Sequence, residues 1–536
     1  MSTIEMLREA PSHKLKVWQD QLNEFNGSKT TSTRPAWKGY EKVLFRIAFI
    51  FFIIMSIPTT PDWYKNLFNI DWFHLHYRDL YDIARFQPSF GRATGQWLLG
   101  YGDWIVALAV ATFGGAIWTL LDRKKTEYNN LYYWLRVIVR YRAGIGIIGF
   151  GFTKLFPVQM PYPSLGLLNT DFGDFTAQKI YWMSVGIVPW YQVFAGVVEL
   201  TAGTLLFFRR TTTLGAALLF GALGDIVYVN FAYDGGVHVY SSYFVLFAAF
   251  LLAYDIPKVY NLLILEKVTI PVYHYPPFNK RWLRFTKIGL KSVTIFIFLI
   301  MLFYIQYVNF RYDPYKQPAM KGVASLRGFY NVSEFSLNNK VIPYSPLDTT
   351  RWQEVTFEDW SSLTYKVNKP VSLDLSNGGG SPMRDINRTF ELTGVAGGKR
   401  VFYYDADTSN NILFLQDKNV ASSRKNDRNK KPAASKQNVA KATFESWIPA
   451  ASLANITDEN IRIDKLALST RRTKGIAQEI KDDPKRNKMI LKYSTTDGSH
   501  VVLTGVNENK DSIYVVLERA SKNYVLTPSS LQAGKY

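Results

Sequence analysis

Apolar runs long enough to cross a bilayer recur along the first 310 residues and then stop. They extend roughly from Val43 to Ile57, Trp104 to Leu121, Arg136 to Phe156, Val188 to Phe208, Thr212 to Asn230, Tyr240 to Ile256 and Thr286 to Phe310. A hydrocarbon core requires about 18 or more predominantly apolar residues per helix, so the pattern predicts about seven spans. The first run is short for a span and carries Arg46. Beyond Phe310 the period changes. "KMILKYSTTDGSHVVLTG" (Lys488 to Gly505) holds two strand-like runs around Asp497-Gly498, a pair suited to a positive-φ turn, and "NNILFLQD" (Asn410 to Asp417) and "DSIYVVLER" (Asp511 to Arg519) add further strands. Short strands at close spacing predict a sandwich or a barrel that folds without the bilayer. The fold class that follows is an α-helical multi-pass membrane protein with a C-terminal all-β extracytoplasmic domain.

Charge orients this arrangement. The basic connections "LDRKKTEYNNLYYWLR" (Leu121 to Arg136), "FFRRTTT" (Phe207 to Thr213) and "NKRWLRFTK" (Asn279 to Lys287) all fall on one side if the N-terminus is inside, as the excess of Lys and Arg on cytoplasmic loops requires. An odd number of spans then places the tail outside. The domain reading is a cytoplasmic segment over 1–42, a transmembrane domain over 43–310, and a periplasmic or extracellular β-rich domain over 311–536 with a solvated basic loop at 422–441. The first forty residues contain no apolar h-region of a signal peptide, so the first run itself starts insertion. The net charge of +20 is accounted for largely by basic inner loops facing anionic headgroups, and the partners expected are the lipid bilayer and envelope proteins, not nucleic acid.

The chain has no cysteine, which excludes thiol chemistry, CxxCH haem attachment, iron-sulfur ligation by this chain and thiolate zinc sites. His74 and His76 in "FHLHY" share a face if the segment is extended, but a lone HxH lacks a third ligand, and no metal site is assigned. "SNGGGSP" (Ser376 to Pro382) lacks the GK[ST] ending of a phosphate loop and reads as a turn.

Ionisable residues within apolar runs are the strongest internal signal, because a charge in hydrocarbon must be paired or hydrated. Glu199 falls near the middle of its run, with Arg142 as the expected partner, and Lys154 and Asp225 near the outer ends of theirs as a second pair. Asn230 joins this intramembrane polar site, and Gln159, Tyr233, Asp234 and His238 form its rim. Pro157, Pro161 and Pro163 end the helix after Lys154 and stiffen the loop that follows, which suits a lid over a pocket and equally a docking surface for the β domain. Two readings compete for the pairs: fixing helix register, or lining a pocket in which Lys154 stabilises charge while Asp225 or Glu199 carries a proton.

"FTKLFPVQMPYPS" (Phe152 to Ser164), "FAGVVELTAGTLLFFRRTTTLGA" (Phe194 to Ala217) and "NFAYDGGVHVYSSYFVLFAAFLLAYD" (Asn230 to Asp255) resemble the DoxX-like family of bacterial integral membrane proteins, in the branch with a C-terminal β-rich region. The resemblance covers roughly residues 130 to 256 and implies a four-helix bundle core in the bacterial inner membrane. The wider group includes the small subunit of a thiosulfate:quinone oxidoreductase, which makes quinone the one cofactor the resemblance allows. The chain departs from the branch pattern at His238, where a lysine is expected, and at Tyr243, where a histidine is expected. The expected function is an accessory or assembly component of the envelope whose β domain contacts partners. The alternatives are a quinone-linked oxidoreductase subunit and a transporter of small molecules or lipid; no signature names a reaction.

Overall fold

The computed structural model describes residues 37–267, 274–276, 280–379, 382–419, 447–481 and 486–526, so the basic stretch at 422–441 and most of the N-terminal segment lie outside the described residues. The chain forms two compact units. The helical unit takes Asp82–Phe150, Val198–Leu299 and the described residues up to Phe68. The barrel unit takes Asn69–Tyr81, Gly151–Val197 and the described residues from Ile300 onward. The barrel unit therefore does not begin at residue 311: two excursions of the chain between helices belong to it.

A helix covers each of the seven apolar runs. They are α1 (Gly39–Ser56) with α2 (Pro61–Phe68) and α3 (Tyr77–Ala84) after it, α4 (Gly102–Leu121), α5 (Asn129–Leu155), α6 (Ala177–Gly186), α7 (Pro189–Leu206), α8 (Thr212–Ala232), α9 (His238–Ala253), α10 (Ile256–Leu263), α11 (Arg281–Ile295) and α12 (Leu302–Tyr312). Among the described residues, three stretches are long and apolar enough to cross a membrane by themselves, Gly102–Leu121, Arg209–Ala232 and Arg281–Tyr312. The number rises to six if each sharply bent pair, α1 with α2, α6 with α7, and α9 with α10, is one span. Helix α5 is not among them, since Arg136, Arg140, Arg142 and Lys154 interrupt its apolar character.

Packing explains the charge in the first run. Arg46 is buried, and its guanidinium donates to Tyr128 Oη, Thr119 Oγ1 and the carbonyl of Asp122, each at 2.9 Å, so every hydrogen-bonding side of the cation is used within the helical unit. Trp37, Phe45 and Tyr128 pack edge to face or stacked beside it. Helices α5 and α7 approach closely at Gly144 and Gly203. A Cβ on Gly144 would stand 3.0 Å from the Gly203 carbonyl, and one on Gly203 would stand 2.7 Å from the Ile147 side chain.

In the barrel unit, β1 (Gly328–Leu337), β2 (Lys340–Val341), β3 (Glu354–Phe357), β4 (Ser362–Lys366), β5 (Lys399–Asp407), β6 (Ile412–Asp417), β7 (Lys488–Ser494), β8 (His500–Val506) and β9 (Ser512–Arg519) form one antiparallel sheet in the order β2-β1-β3-β4-β5-β6-β7-β8-β9. Pairing of β1 with β9, from Tyr330 opposite Arg519 to Leu337 opposite Ile513, closes eight strands into a barrel and leaves β2 as a two-residue appendage. The sequence left sandwich and barrel open; the β1–β9 ladder decides for the barrel. Alternation selects the inward faces: in β7, Met489, Leu491 and Tyr493 are buried while Lys492 points out. Inside, Trp352 stacks on Tyr365 at 4.0 Å, and Phe335, Phe402, Tyr404, Leu415, Leu503 and Leu517 complete a side-chain core. A barrel of this size filled in this way has no lumen for a ligand.

The loop beyond α5 docks on this barrel. Helix α5 stops at Leu155, before Pro157, and the buried carboxylate of Glu358 accepts from Leu165 N at 2.9 Å and Gly166 N at 2.7 Å. The Lys399 ammonium donates to Gly166 O, Asn169 O and Thr170 Oγ1. Of the two uses open to the proline-stiffened loop, the barrel unit shows docking.

Burial holds the Lys399 amine below the usual lysine range, at about 8, and Lys316, buried with its ammonium 3.6 Å from the Trp182 ring centroid, is shifted in the same direction. The unfolded chain keeps these protons until about pH 10.4. Between about pH 8 and that value the unfolded state binds more protons, so the barrel unit is expected to gain stability as pH rises through this window and to lose it on return toward 8. Thermal scans of wild type and Lys399→Met across this range check it. A profile that falls with pH in both, or a slope unchanged by the substitution, contradicts the assignment.

Candidate functional site

The chemistry-bearing residues of the barrel unit converge on the end of α12. Asp313 directly follows this helix and is buried. Its Oδ1 pairs with Arg388 Nη2 at 2.5 Å and its Oδ2 with Arg472 Nη1, both guanidiniums also buried. Arg388 continues to Pro314 O at 2.8 Å, Gln317 O at 2.6 Å and Asp385 at 3.4 Å, while Asp385 Oδ2 accepts from Ala319 N and Met320 N. Burial alone would raise the Asp313 pKa, but the two guanidiniums outweigh it and hold the group below its ordinary value. The cluster ties three distant parts of the chain together: the end of α12, the 384–388 turn and α13 (Thr470–Lys481).

The "FHLHY" segment is fastened to α13 by two carboxylates. Asp71 accepts from Thr470 Oγ1 at 2.7 Å and Phe73 N at 3.1 Å and pairs with His74 Nδ1 at 3.1 Å. Asp79 accepts from His76 N at 2.8 Å and pairs with Arg471 at 3.1 Å. His76 is buried, and its Nδ1 accepts from Arg78 N at 3.2 Å. Burial lowers its pKa to about 3, with Arg471 and Arg472 acting in the same direction and Asp313 against, so the ring is neutral at physiological pH.

Between these parts lies a cleft of about 520 Å³. The apolar face of α12, with Tyr304, Ile305 and Val308, forms one wall; Trp72, Phe73 and Leu75 form a second; Lys465 to Leu468 form the third. His74, His76, Asp313 and Asn309 supply its polar groups. Asn309 is only 4% exposed, and both its Nδ2 and its Oδ1 lack a hydrogen-bond partner among the described residues. One turn earlier, Gln306 is fully buried, and both its amide atoms are likewise without a partner among the described residues. Such orphan amides are uncommon in folded proteins and costly. His74 and His76 thus meet in one wall, but among the described residues no cluster of three or more His, Asp or Glu side chains is placed to hold a metal ion.

The residues singled out by sequence are distributed differently. Arg142 is buried, but it donates to Ala84 O at 3.0 Å and Phe86 O at 2.5 Å and lies over the Phe86 ring at 3.8 Å, so the expected partnership with Glu199 gives way to carbonyl contacts. The reason is the C-terminus of α3 at Ala84, whose last carbonyls have no partner inside the helix and attract a cation. Glu199 is buried on α7, and Lys154 is buried at the end of α5. Asp225 is exposed and makes no ion pair among the described residues, which corrects its expected pairing with Lys154. The period of α8 accounts for this: Leu219, Leu223 and Asn230 lie on the buried stripe, whereas Gly221, Asp225 and Tyr228 lie on the opposite face.

The expected rim residues organise turns. Asn230 donates to Ile226 O at 2.7 Å and accepts from Val237 N at 3.3 Å, Asp234 takes a left-handed φ of 52°, and Tyr233 is exposed. His238 Nε2 lies 2.7 Å from Leu99 O with its ring against Phe231, and Gln159 Oε1 accepts from Thr153 Oγ1 at 3.4 Å. Tyr243, in the place of an expected histidine, is fully buried and donates to Met55 O at 2.6 Å. The cleft was not anticipated from sequence, although "FYIQYVNF" (Phe303 to Phe310) carries its signal: two carboxamides three residues apart within an otherwise apolar run.

The molecule is therefore a helical protein whose apolar helices point to membrane association, carrying a closed eight-stranded barrel and a mixed apolar and polar cleft. Compared with known proteins, the chain matches no family model, no curated protein and no solved structure.

Proposed function

We propose that this chain is an accessory component of the cell envelope, a multi-pass protein of about seven spans with the N-terminus inside and the barrel outside, which holds a small amphiphilic ligand and does not transform it. The observation that carries the reading is the cleft on α12: its walls are apolar and aromatic, and a buried amide without a partner, Asn309, sits among them. Pockets of about 300–1,000 Å³ with a few placed polar groups are the usual form of small-molecule sites. Behind the cleft Asp313 is held by both Arg388 and Arg472, and Asp79 by Arg471, and these ion pairs hold the walls in place, a positioning use of charge. Closure of the barrel leaves loops, not sheet edges, for contact with envelope partners, and Tyr344 and Leu347 are exposed at 67% and 81% on the loop after β2.

Two measurements test this. Reporter fusions after Phe310 and Ala232 are expected to be active outside, and fusions after Arg210 and Lys280 inside; an inside tail overturns the topology. Protein purified in lipid nanodiscs is expected to retain a colourless amphiphile on native mass spectrometry. A stoichiometric quinone with a spectrum that changes on reduction would instead make the chain a quinone-linked oxidoreductase subunit.

A further inference from the structure

Two of the basic connections, far apart in the chain, meet within the helical unit at the turn Arg209–Thr211 between α7 and α8. The ring of Phe208, just before this turn, lies 3.8 Å from the Lys291 ammonium of α11. Thr212, just after it, accepts from Arg140 Nη1 of α5 at 3.3 Å. Arg209 itself stands over the Tyr275 ring at 3.5 Å. Lys287, one turn before Lys291 on α11, is within electrostatic reach of Arg140 and Arg209, and Lys291 is within reach of Arg140 and Lys287. We infer that Arg140, Arg209, Lys287 and Lys291 form a site for the phosphate of an anionic phospholipid, one lipid per chain. This rests on the multi-pass reading above and not on the cleft.

The demand for an anion comes from positive charge that the helical unit leaves unanswered. Among the described residues, Arg140, Arg209 and Lys291 pair with no carboxylate; their contacts are a hydroxyl and aromatic rings. The carboxylate that reaches this region, Asp255, accepts from Thr213 Oγ1 at 2.8 Å and is already held by Arg136 at 3.3 Å and Lys258 at 2.8 Å. Like charges gathered from α5, α11 and the turn repel one another, and an anion among them turns repulsion into attraction. A phosphate diester accepts from a guanidinium fork and from ammonium groups together, and basic pockets between membrane helices take such heads.

Depth and apolar surroundings favour a lipid over a free anion. Lys291 lies about 15 Å from the start of the 32-residue stretch Arg281–Tyr312, and Arg140 a similar distance into α5. That stretch is longer than a hydrocarbon core of about 30 Å, so Lys291 falls near the level where headgroups meet acyl chains. Leu214, Ile288 and Leu290, within two residues of Thr212, Lys287 and Lys291, are each more than half exposed. A free phosphate leaves these side chains uncovered, whereas a lipid lays acyl chains on them. A zwitterionic head brings its own ammonium into a cationic site and is disfavoured.

The test uses the full-length protein in detergent, supplied in turn with phosphatidylglycerol, phosphatidylcholine and inorganic phosphate, and read by native mass spectrometry and thermal scans. One phosphatidylglycerol per chain is expected to bind, roughly tenfold or more tighter than phosphatidylcholine, and to raise the melting temperature because it binds the folded state. Arg209→Gln combined with Lys291→Gln is expected to abolish the preference while the lipid-free melting temperature stays equal or rises, since repulsion is relieved. Arg123→Gln combined with Lys124→Gln removes the same charge from exposed positions in the connection before α5 and is expected to leave the preference intact. Equal binding of the two lipids, or a preference that survives the first double variant, overturns the inference. So does a preference lost equally in both double variants, which marks diffuse attraction to basic loops, or a lower lipid-free melting temperature in the first. Stabilisation by inorganic phosphate equal to that by phosphatidylglycerol makes the site one for a free anion and overturns the lipid assignment. All of these leave the multi-pass reading standing, whereas release of the chain from membranes by alkaline carbonate overturns both.

Discussion

Lys418→Met is expected to lower the melting temperature of the detergent-solubilised protein by on the order of 10 °C near neutral pH. Lys418 and Glu391 are both buried and lie 2.8 Å apart, and the same carboxylate oxygen accepts from Trp360 Nε1 at 2.8 Å and Ser362 Oγ at 3.0 Å. Removing the ammonium leaves a carboxylate in a site that cannot rehydrate, and breaking a buried pair from one side costs about 3–5 kcal/mol. The pH dependence carries a definite sign. Burial alone would raise the Glu391 pKa, but Lys418 outweighs it and holds the group below its ordinary value. In wild type this contribution is therefore present above the unfolded carboxyl pKa, about 4.3, and is lost as pH falls through the lower folded value. In Lys418→Met the surviving shift is upward, so the deficit relative to wild type shrinks on acidification as Glu391 takes up a proton. Adding Glu391→Gln to Lys418→Met restores most of the loss. A deficit independent of pH, with no recovery in the double variant, contradicts the assignment.

Asp313→Ala is expected to cost a similar about 3–5 kcal/mol and, unlike the first variant, to open the cleft. It leaves Arg388 and Arg472 facing each other in a buried site, with no carboxylate between the end of α12 and α13. Limited proteolysis should then cut within residues 459–481 faster than in wild type, because the cluster and the small apolar contact of Val308 with Ile463, Ala467 and Ile476 are what hold this segment on α12. Arg472→Leu combined with Asp313→Ala should recover part of the stability by removing one of the stranded cations. Losses that simply add in the double variant, or unchanged cleavage in Asp313→Ala, would show that the segment is held by other contacts.

Elements with a strong local period were legible along the chain. Each apolar run became a helix, the Asp497-Gly498 turn joins β7 to β8 with Gly498 at φ +77°, and Pro157 ends α5. Pairings were less legible. Arg142 and Glu199 are close in helical bookkeeping, yet Arg142 meets the carbonyl ends of α3, an element too short and polar to attract notice in the sequence. Asp225 lies on the exposed side of α8, because counting residues gives a position along the helix whereas azimuth follows from which stripe the neighbouring helices bury. Asn309 and Gln306 carry no charge to mark them within an apolar run, although an unpaired amide in an apolar setting is costly in the same sense as an unpaired charge.

The sequence by itself determined the division into an apolar helical portion and a polar β portion, the approximate places of the helices that cover the apolar runs, and the absence of thiol chemistry, since these depend on composition and on periods of a few residues. Only the tertiary structure decided that β1 closes on β9, that residues 69–81 and 151–197 belong with the barrel, and that residues as distant as His76, Asn309, Asp313 and Lys465 line one cleft. Those facts rest on contacts between segments up to about four hundred residues apart. Such contacts arise from the mutual burial of surfaces and the pairing of charges on remote segments, and no local period along the chain encodes them.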